Sequence, residues 1–333
     1  MGQKHSAHST QHLARIQRLG AALDKQTTGD KRRRLLSAKR KTPSADCGVT
    51  TTMNIAALWD WAVDELKTVG VDSPRFTAEL LLREVMGWSR AQLLTRGAHI
   101  VPDECEERYR GFIRRRSLGV ATQYIIGRQE FYGRDFLVTP AVLIPRPETE
   151  ILVELTISAL RDRVENMPIL DLGTGSGCVG LTLAAELPQA EVTLSDVSQA
   201  ALDVARENAQ RLGLMDRVLF SQGDLFGAVE GRRFVAIVSN PPYIPETDRA
   251  SLSAEVLGEP EGALFAGEDG LAVYRRIAAQ ASAYLSPGGL LLLEIGHGQG
   301  AAVSDLLAQG GFPRVELFRD LAGKERVLRA LLA

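Results

Sequence analysis

The chain is short of cysteine, of long apolar runs and of histidines placed for catalysis, and each shortage narrows what it can be. Three cysteines in 333 residues, Cys47, Cys105 and Cys178, stand far apart without paired spacing, which excludes a disulfide framework and a cysteine zinc site. A reducing compartment suits such a chain. The most apolar stretch, Leu290 to Leu293, is interrupted by Pro287 and Glu294, far short of the ~20 apolar residues of a membrane span. Of the five histidines, three lie before residue 13, His99 falls in a helical region and His297 in a Gly296-His-Gly298 loop. None is placed for base work. At 45% hydrophobic and 24% charged residues the composition is that of a globular protein, and the length exceeds the roughly 100–200 residues of one domain.

What is present is unevenly charged. Residues 1–50 hold 11 Lys+Arg against 3 Asp+Glu, a balance of +8, which leaves 28 against 38, or −10, for the remainder. The head carries Lys31-Arg-Arg-Arg34 and Lys39-Arg-Lys41 and only one short apolar pattern, Leu13 to Leu23, so residues 1–52 are expected to be a disordered basic extension. A nucleic-acid or ribosome tether, an organellar transit peptide and an N-myristoylation signal on Gly2 are its competing functional readings. Translation starting at Met53 is a further one, because Asn54 then caps a helix at once; the head is expected to be dispensable for catalysis.

From Asn54, Ile55, Leu58, Trp59, Val63 and Leu66 recur at helical spacing. Ser73-Pro74 sets a cap and first-turn proline for a second helix, Arg75 to Met86, that Gly87 ends. Ser89 opens a short third, and Asp103 with Glu106 reads as a capping box for a fourth reaching about Arg116. Residues 53–120 are thus a small helical domain, with Trp59, Trp61 and Trp88 as core. Gln123 to Ile126 and Gln129 to Val138 read as strands around Gly127, a β-hairpin linker over 121–146. Pro147 then suits the first turn of a helix to about Arg161. Beyond Pro168, short apolar strands (Ile169 to Leu172, Val192 to Ser195, Val218 to Ser221, Val235 to Ser239, Leu290 to Ile295) alternate with helices. Residues 147–333 are therefore read as an α/β domain built on a parallel sheet, with ligands at the carboxyl ends of its strands.

Two loops carry the chemistry. The first strand ends in Asp171-Leu-Gly-Thr-Gly-Ser-Gly177, whose glycines permit a tight turn and close ligand approach. A dinucleotide fingerprint places its third glycine where Cys178 stands, and a phosphate loop needs glycine followed by lysine there. Asp196, ending the second strand, is placed to accept from ribose hydroxyls. The bland alternative is a plain glycine turn followed by an Asp helix cap. The fourth strand ends in Asn240-Pro-Pro-Tyr243. Two prolines stiffen it, presenting the Asn240 side chain and the Pro241 carbonyl as acceptors beside an aromatic face. That arrangement suits a planar NH2 group whose delocalised lone pair makes it a poor nucleophile, since acceptors on both N–H bonds favour a pyramidal nitrogen aimed at an electrophile.

These loops resemble those of class I S-adenosylmethionine-dependent methyltransferases acting on planar nitrogens. Phe131-Tyr-Gly133 with Phe136, Ile144-Pro-Arg-Pro-Glu-Thr-Glu150, Glu259-Pro260 with Gly267 to Gly270, Leu293-Glu-Ile-Gly296 and Gly323 with Glu325-Arg-Val327 narrow the match. Residues 54 to about 330 are similar to the release factor glutamine methyltransferases, the PrmC/HemK family. The resemblance implies a Rossmann-like seven-stranded mostly parallel sheet, a helical N-terminal domain, S-adenosyl-L-methionine as cofactor and no metal. It also implies class-1 peptide chain release factors as partners, methylated on the glutamine of their Gly-Gly-Gln loop.

Carried to matching positions, the resemblance has Gly173, Thr174, Gly175, Ser176 and Gly177 lining the methionine part of the cofactor. Asp196 holds the ribose, and Asp224 and Leu225 flank the adenine, with Leu225 standing where the family often has an aromatic residue. Asn240, Pro241, Pro242 and Tyr243 grip the substrate amide, Asn240 also lying near the methyl donor; Glu148 and Glu150 organise the site. A ribosomal-protein glutamine methyltransferase departs at the acidic residues of the 145–150 segment. A nucleic-acid adenine methyltransferase should carry a basic face, which the −10 balance denies. A non-catalytic binding protein does not need both loops. No stable nucleic-acid binding and no membrane association are expected. The chain is expected to be a monomer in a bacterial cytosol, or in a mitochondrial matrix if the head is a transit peptide.

Overall fold

The structure, a computed structural model, describes residues 53–163 and 167–333; the expectations for residues 1–52 lie outside the described residues. In the helical region α1 (Ile55–Thr68) starts where Asn54 Oδ1 accepts the Ala57 N–H at 2.9 Å. The second helix, α2 (Pro74–Met86), begins on its proline and ends at Gly87 with φ +65°, but Ser73 sits at φ +50° and makes no side-chain cap. A reciprocal capping box between Ser89 and Gln92 opens α3 (Arg90–Thr95). In α4 (Asp103–Ser117), Asp103 is the first helical residue rather than the cap; with Glu104 and Glu106 it places acid against the positive helix end.

Ile55, Leu58, Leu66, Leu81, Leu82 and Tyr109 fill the core of this bundle, each aliphatic chain contributing about 1.5–3 kcal/mol of burial. Trp59 joins them, whereas Trp61 and Trp88 are only half-buried. Guanidinium groups cover both, Arg110 at 4.1 Å from the Trp61 ring and Arg96 at 5.1 Å from Trp88.

The hairpin differs from expectation. Thr122–Ile126 is a short helix, α5, ended by Gly127 at φ +85°. Only β1 (Arg128–Phe131) and β2 (Arg134–Leu137) pair, around a turn at Tyr132-Gly133. Tyr124 and Ile125 are buried on this helical turn, and the Tyr124 hydroxyl anchors it by donating to the Val142 carbonyl at 2.6 Å.

After the 3-10 turn Pro147–Thr149 comes α6 (Glu150–Leu160). The central sheet then forms from β3 (Met167–Leu172), β4 (Ala190–Asp196), β5 (Val218–Gln222), β6 (Phe234–Ser239), β7 (Leu285–Glu294), β8 (Arg314–Arg319) and β9 (Glu325–Leu331). Its order is β5-β4-β3-β6-β7-β9-β8, parallel from β5 to β7, with β9 antiparallel to both β7 and β8. The central strands are apolar on both faces, as sheets covered on both sides require. Ile169, Val238 and Leu292 face α6, α7 (Cys178–Glu186) and α8 (Gln199–Leu212). Leu170, Ile237 and Leu291 face α9 (Ala272–Tyr284) and α10 (Gly300–Gln309). The chain leaves β3 toward β4 and β5, then returns to β6 on the other side of β3. That reversal opens a crevice beyond the carboxyl ends of β3, β4 and β6.

Candidate functional site: two chambers sharing a wall

The glycine loop between β3 and α7 is held by its own neighbourhood. Gly173 and Thr174 donate their N–H groups to the Ser195 carbonyl, both at 2.9 Å. The buried Asp171 accepts from the Thr174 hydroxyl at 2.6 Å and from the Gly180 N–H at 2.8 Å, both on Oδ2. Burial pushes the Asp171 carboxyl up to about 6, against the lowering effect of those two bonds. Gly177 must be glycine: its φ is +81°, and a Cβ there would stand 2.9 Å from Leu181 Cδ1. Asp196 accepts from Gly175 N–H and Ser198 N–H, one on each oxygen at 2.9 Å. A carboxylate has about four acceptor positions, so lone pairs remain for a ligand's hydroxyls.

The second loop follows β6. The Ser239 hydroxyl donates to the Leu172 carbonyl at 2.6 Å, tying the two strand ends together. Asn240 Nδ2 donates to Thr149 Oγ1 at 3.2 Å. Farther on, Gln299 braces the loop: its Nε2 donates to the Tyr243 carbonyl at 3.0 Å while its Oε1 accepts the Gly296 N–H at 3.0 Å. Gly270, at φ +73°, lies so close that a Cβ would fall 2.4 Å from the Tyr243 oxygen. Burial pushes the Tyr243 hydroxyl up to about 12. Buried Glu259 accepts from the Ile144 N–H at 3.0 Å and pairs with Arg146.

Between these loops lies a cavity of about 480 Å3, inside the roughly 300–1,000 Å3 range of small-molecule sites. Gly173, Thr174, Gly175, Ser176, Asp196, Asp224, Leu225, Asn240, Pro241 and Pro242 all line it. Gly177 and Tyr243 do not. Gly177 turns the loop into α7, and Tyr243 lines a second cavity of about 280 Å3 with Leu252, Val256 and Leu264. The two cavities share Leu143, Arg146, Asn240 and Ala263 as walls. Of the expected organisers, Glu150 accepts the Tyr132 N–H at 2.8 Å and so fixes the hairpin turn, while Glu148 is half-buried near Glu294.

Several contacts and conformations around the site escaped sequence reasoning. Asp224 is paired with Arg276 at 2.6 Å, a contact across 52 residues that no local spacing signals. Leu225 reaches the cavity through a left-handed backbone, φ +49°, a conformation uncommon without glycine. Asn208, fully buried in α8, bonds both polar groups of the Leu137 backbone and the Ser176 carbonyl. Its signal was a polar residue on an otherwise apolar helix face. Among the described residues, no group of three or more His, Cys, Asp or Glu could hold a metal, and no helix is long and apolar enough to cross a membrane.

Comparison with known proteins places this geometry. The family model of the PrmC N-terminal domain matches residues 57–127, and that of the methyltransferase small domain matches 148–268. The release factor glutamine methyltransferase of Moorella thermoacetica is 45% identical over 270 residues, covering 81% of this chain and 95% of that protein. The chain belongs to the release factor glutamine methyltransferase family. The family's protein from Neisseria gonorrhoeae is 47% identical over 256 residues, 76% of this chain and 92% of the relative. Among solved structures, the hMettl16 catalytic domain in complex with MAT2A 3'UTR hairpin 6 aligns at TM-score 0.50 and 17% identity, over 66% of this chain and 81% of that one. It shares the fold. The sheet is that of a class I methyltransferase, and the cofactor of such enzymes is S-adenosyl-L-methionine. The larger cavity fits that molecule chemically: it is mostly apolar in its lining, carries two carboxylates at its β4 and β5 ends, and has open space beside Gly173 and Gly175.

Proposed function

We propose that this methyltransferase transfers the methyl group of S-adenosyl-L-methionine to the side-chain amide nitrogen of the glutamine in the Gly-Gly-Gln loop of class-1 peptide chain release factors. The observation that carries the reading is Asn240, the residue of the Asn-Pro-Pro-Tyr loop that lines both cavities at once. An amide admitted through the smaller cavity meets the cofactor's cavity at that residue. When bound, the cofactor supplies an electrophilic sulfonium methyl group.

The protein's own residues do the rest by holding and shielding. Asp196 accepts from the ribose hydroxyls, and the 173–177 backbone lies along the methionine part. Asp224 and Leu225 flank the adenine, Leu225 covering one ring face with an aliphatic chain. Asn240 Oδ1 and the Pro241 carbonyl accept the two N–H bonds of the glutamine amide, turning its nitrogen lone pair toward the larger cavity. Pro242 keeps the loop rigid, and Tyr243 packs beside the glutamine stem. The amide proton lost after transfer needs no dedicated base, because a methylated amide protonated on nitrogen is a strong acid.

The helical region, residues 53–120, contributes the surface that selects the release factor, and 147–333 carry the transfer. The enzyme works in the bacterial cytoplasm as a monomer and binds no nucleic acid stably. Incubation of the purified chain with labelled cofactor and unmodified release factor tests the reading. Label is expected on the intact factor and absent from one whose Gly-Gly-Gln glutamine is replaced; label on a nucleic-acid control, or on neither substrate, overturns it.

A further inference from the structure

Asn and Gln amides have an oxygen end and a nitrogen end of nearly equal size, so their function depends on whatever fixes which end faces the ligand. For Asn240 that neighbour is Thr149, which is 2% exposed and accepts from Asn240 Nδ2 at 3.2 Å. Thr149 stands at the start of α6, its own N–H tied to the Arg146 carbonyl at 3.1 Å. Behind it is Glu294, the last residue of β7, 1% exposed, with its carboxyl close enough to the Thr149 side chain for that hydroxyl to lower its pKa against the rise from burial. Among the described residues its Oε2 has no hydrogen-bond partner. The placement follows from the sheet: Ser239 pairs with Leu293, so Asn240 and Glu294 leave neighbouring strands side by side.

We propose that Thr149 and Glu294 are positioning residues that set the polarity of the Asn240 amide, with the Glu294 carboxylate drawing the single Thr149 hydroxyl proton and leaving Thr149 only able to accept. Asn240 must then turn its nitrogen to Thr149 and its oxygen to the junction of the two cavities. A flipped amide would set oxygen against oxygen with no proton between them. The inference rests on the reading that Asn240 accepts from a substrate amide, and it adds the device that makes Asn240 an acceptor there.

A consequence concerns pH. Burial pushes the Glu294 carboxyl up to about 7. The charged and titratable groups around it are Arg326, Arg146 and Glu148, with the Tyr243 and Tyr274 hydroxyls and the Cys178 thiol. Once protonated, Glu294 can donate to Thr149, which frees the Thr149 proton to face Asn240, and the single polarity is lost. Activity therefore falls on the acid side through Glu294.

The test compares wild type with Thr149→Ser, Thr149→Val and Glu294→Gln. In Thr149→Val, kcat is expected to drop about tenfold or more with cofactor Kd near wild type, and the thermal midpoint to fall by a few degrees because buried polar groups lose their partner. Thr149→Ser restores kcat to within about threefold, because it returns the hydroxyl. Glu294→Gln loses the acid limb of the kcat profile. A Thr149→Val enzyme with wild-type kcat, a Thr149→Ser enzyme as impaired as the valine variant, or an acid limb that persists in Glu294→Gln overturns the proposal.

A readout free of turnover separates this from the substrate assignment. The 15N side-chain amide resonance of Asn240, identified by its absence in Asn240→Asp, should shift with pH in wild type and stay flat in Glu294→Gln. A flat wild-type titration sinks the positioning pair even if release factor is methylated. A shifting one supports it even if release factor is not the substrate.

Discussion

The two halves of the site are built on different principles. The glycine-loop half is closed by short-range bonds: Thr174 to Asp171 spans three residues, Gly180 to Asp171 nine, and Gly175 to Asp196 twenty-one. The Asn240 half is closed by long-range ones, ninety-one residues from Asn240 to Thr149 and fifty-six from Tyr243 to Gln299. The glycine loop and Asp196 can thus form from one βαβ unit, while the adenine flank also needs β5 and Arg276, 52 residues from Asp224. The amide-gripping half exists only when β6, β7, α6 and the segments around Gly270 and Gln299 have come together. Cofactor affinity and transfer rate should therefore respond to separate sets of residues.

The sharpest challenge to that division is Asn240→Ala, expected to lower kcat roughly 100- to 1,000-fold with cofactor Kd changed only a few-fold. Calorimetry beside single-turnover transfer reads both, and an equal loss in the two would merge the halves. Gly270→Ala comes next, because its Cβ would displace the Tyr243 carbonyl. A shift of about 1 Å in the loop should cost kcat roughly 10- to 100-fold, with cofactor binding again spared. Asp196→Ala attacks the other half. Loss of an acceptor for two loop N–H groups and the ribose should weaken cofactor binding about tenfold, while kcat at saturating cofactor stays close to wild type.

A further effect is on stability and involves one buried carboxyl from each half. Burial raises Asp171 from 3.8 to about 6 and Glu294 from 4.5 to about 7. The folded state thus binds protons more tightly than the unfolded one. The stability contributed by that binding is fully present below the unfolded values and is lost as pH rises through about 6 and then about 7. Urea unfolding from about pH 5 to 8 should show the decline. Glu294→Gln should flatten its upper part, an effect on the order of 2 kcal/mol.

The same contrast explains what the sequence could tell. The inner strands β3, β4, β6 and β7 are largely buried on both faces, so their apolar runs and the loops after them stand out in the linear chain. The outer pair does not: β8, Arg314-Val-Glu-Leu-Phe-Arg319, is an edge strand, mostly exposed, with its polarity mixed. Thr122–Ile126 carries strand-like residues but is a helix, since a tertiary bond from Tyr124 and a left-handed Gly127 outweigh local propensity. Ser73 and Asp103 have the chemistry of caps without the geometry. Thr149, Gln299 and Arg276 are ordinary residues in the chain, and their tasks come from partners dozens of positions away.

Asn208 has one more consequence, for how the molecule comes apart. Beside it, Val204 and Ala201 of α8 pack with Tyr124, Leu137 and Val142, so one helix clasps the segment before the sheet through both polar and apolar contacts. The two-stranded ribbon therefore cannot peel away while the sheet persists. Fraying, the usual fate of a short surface ribbon, is closed to it. The Leu137 amide, sealed against Asn208 Oδ1 at 2.7 Å, should exchange with solvent only when the whole sheet opens, making that one proton a clock for global unfolding.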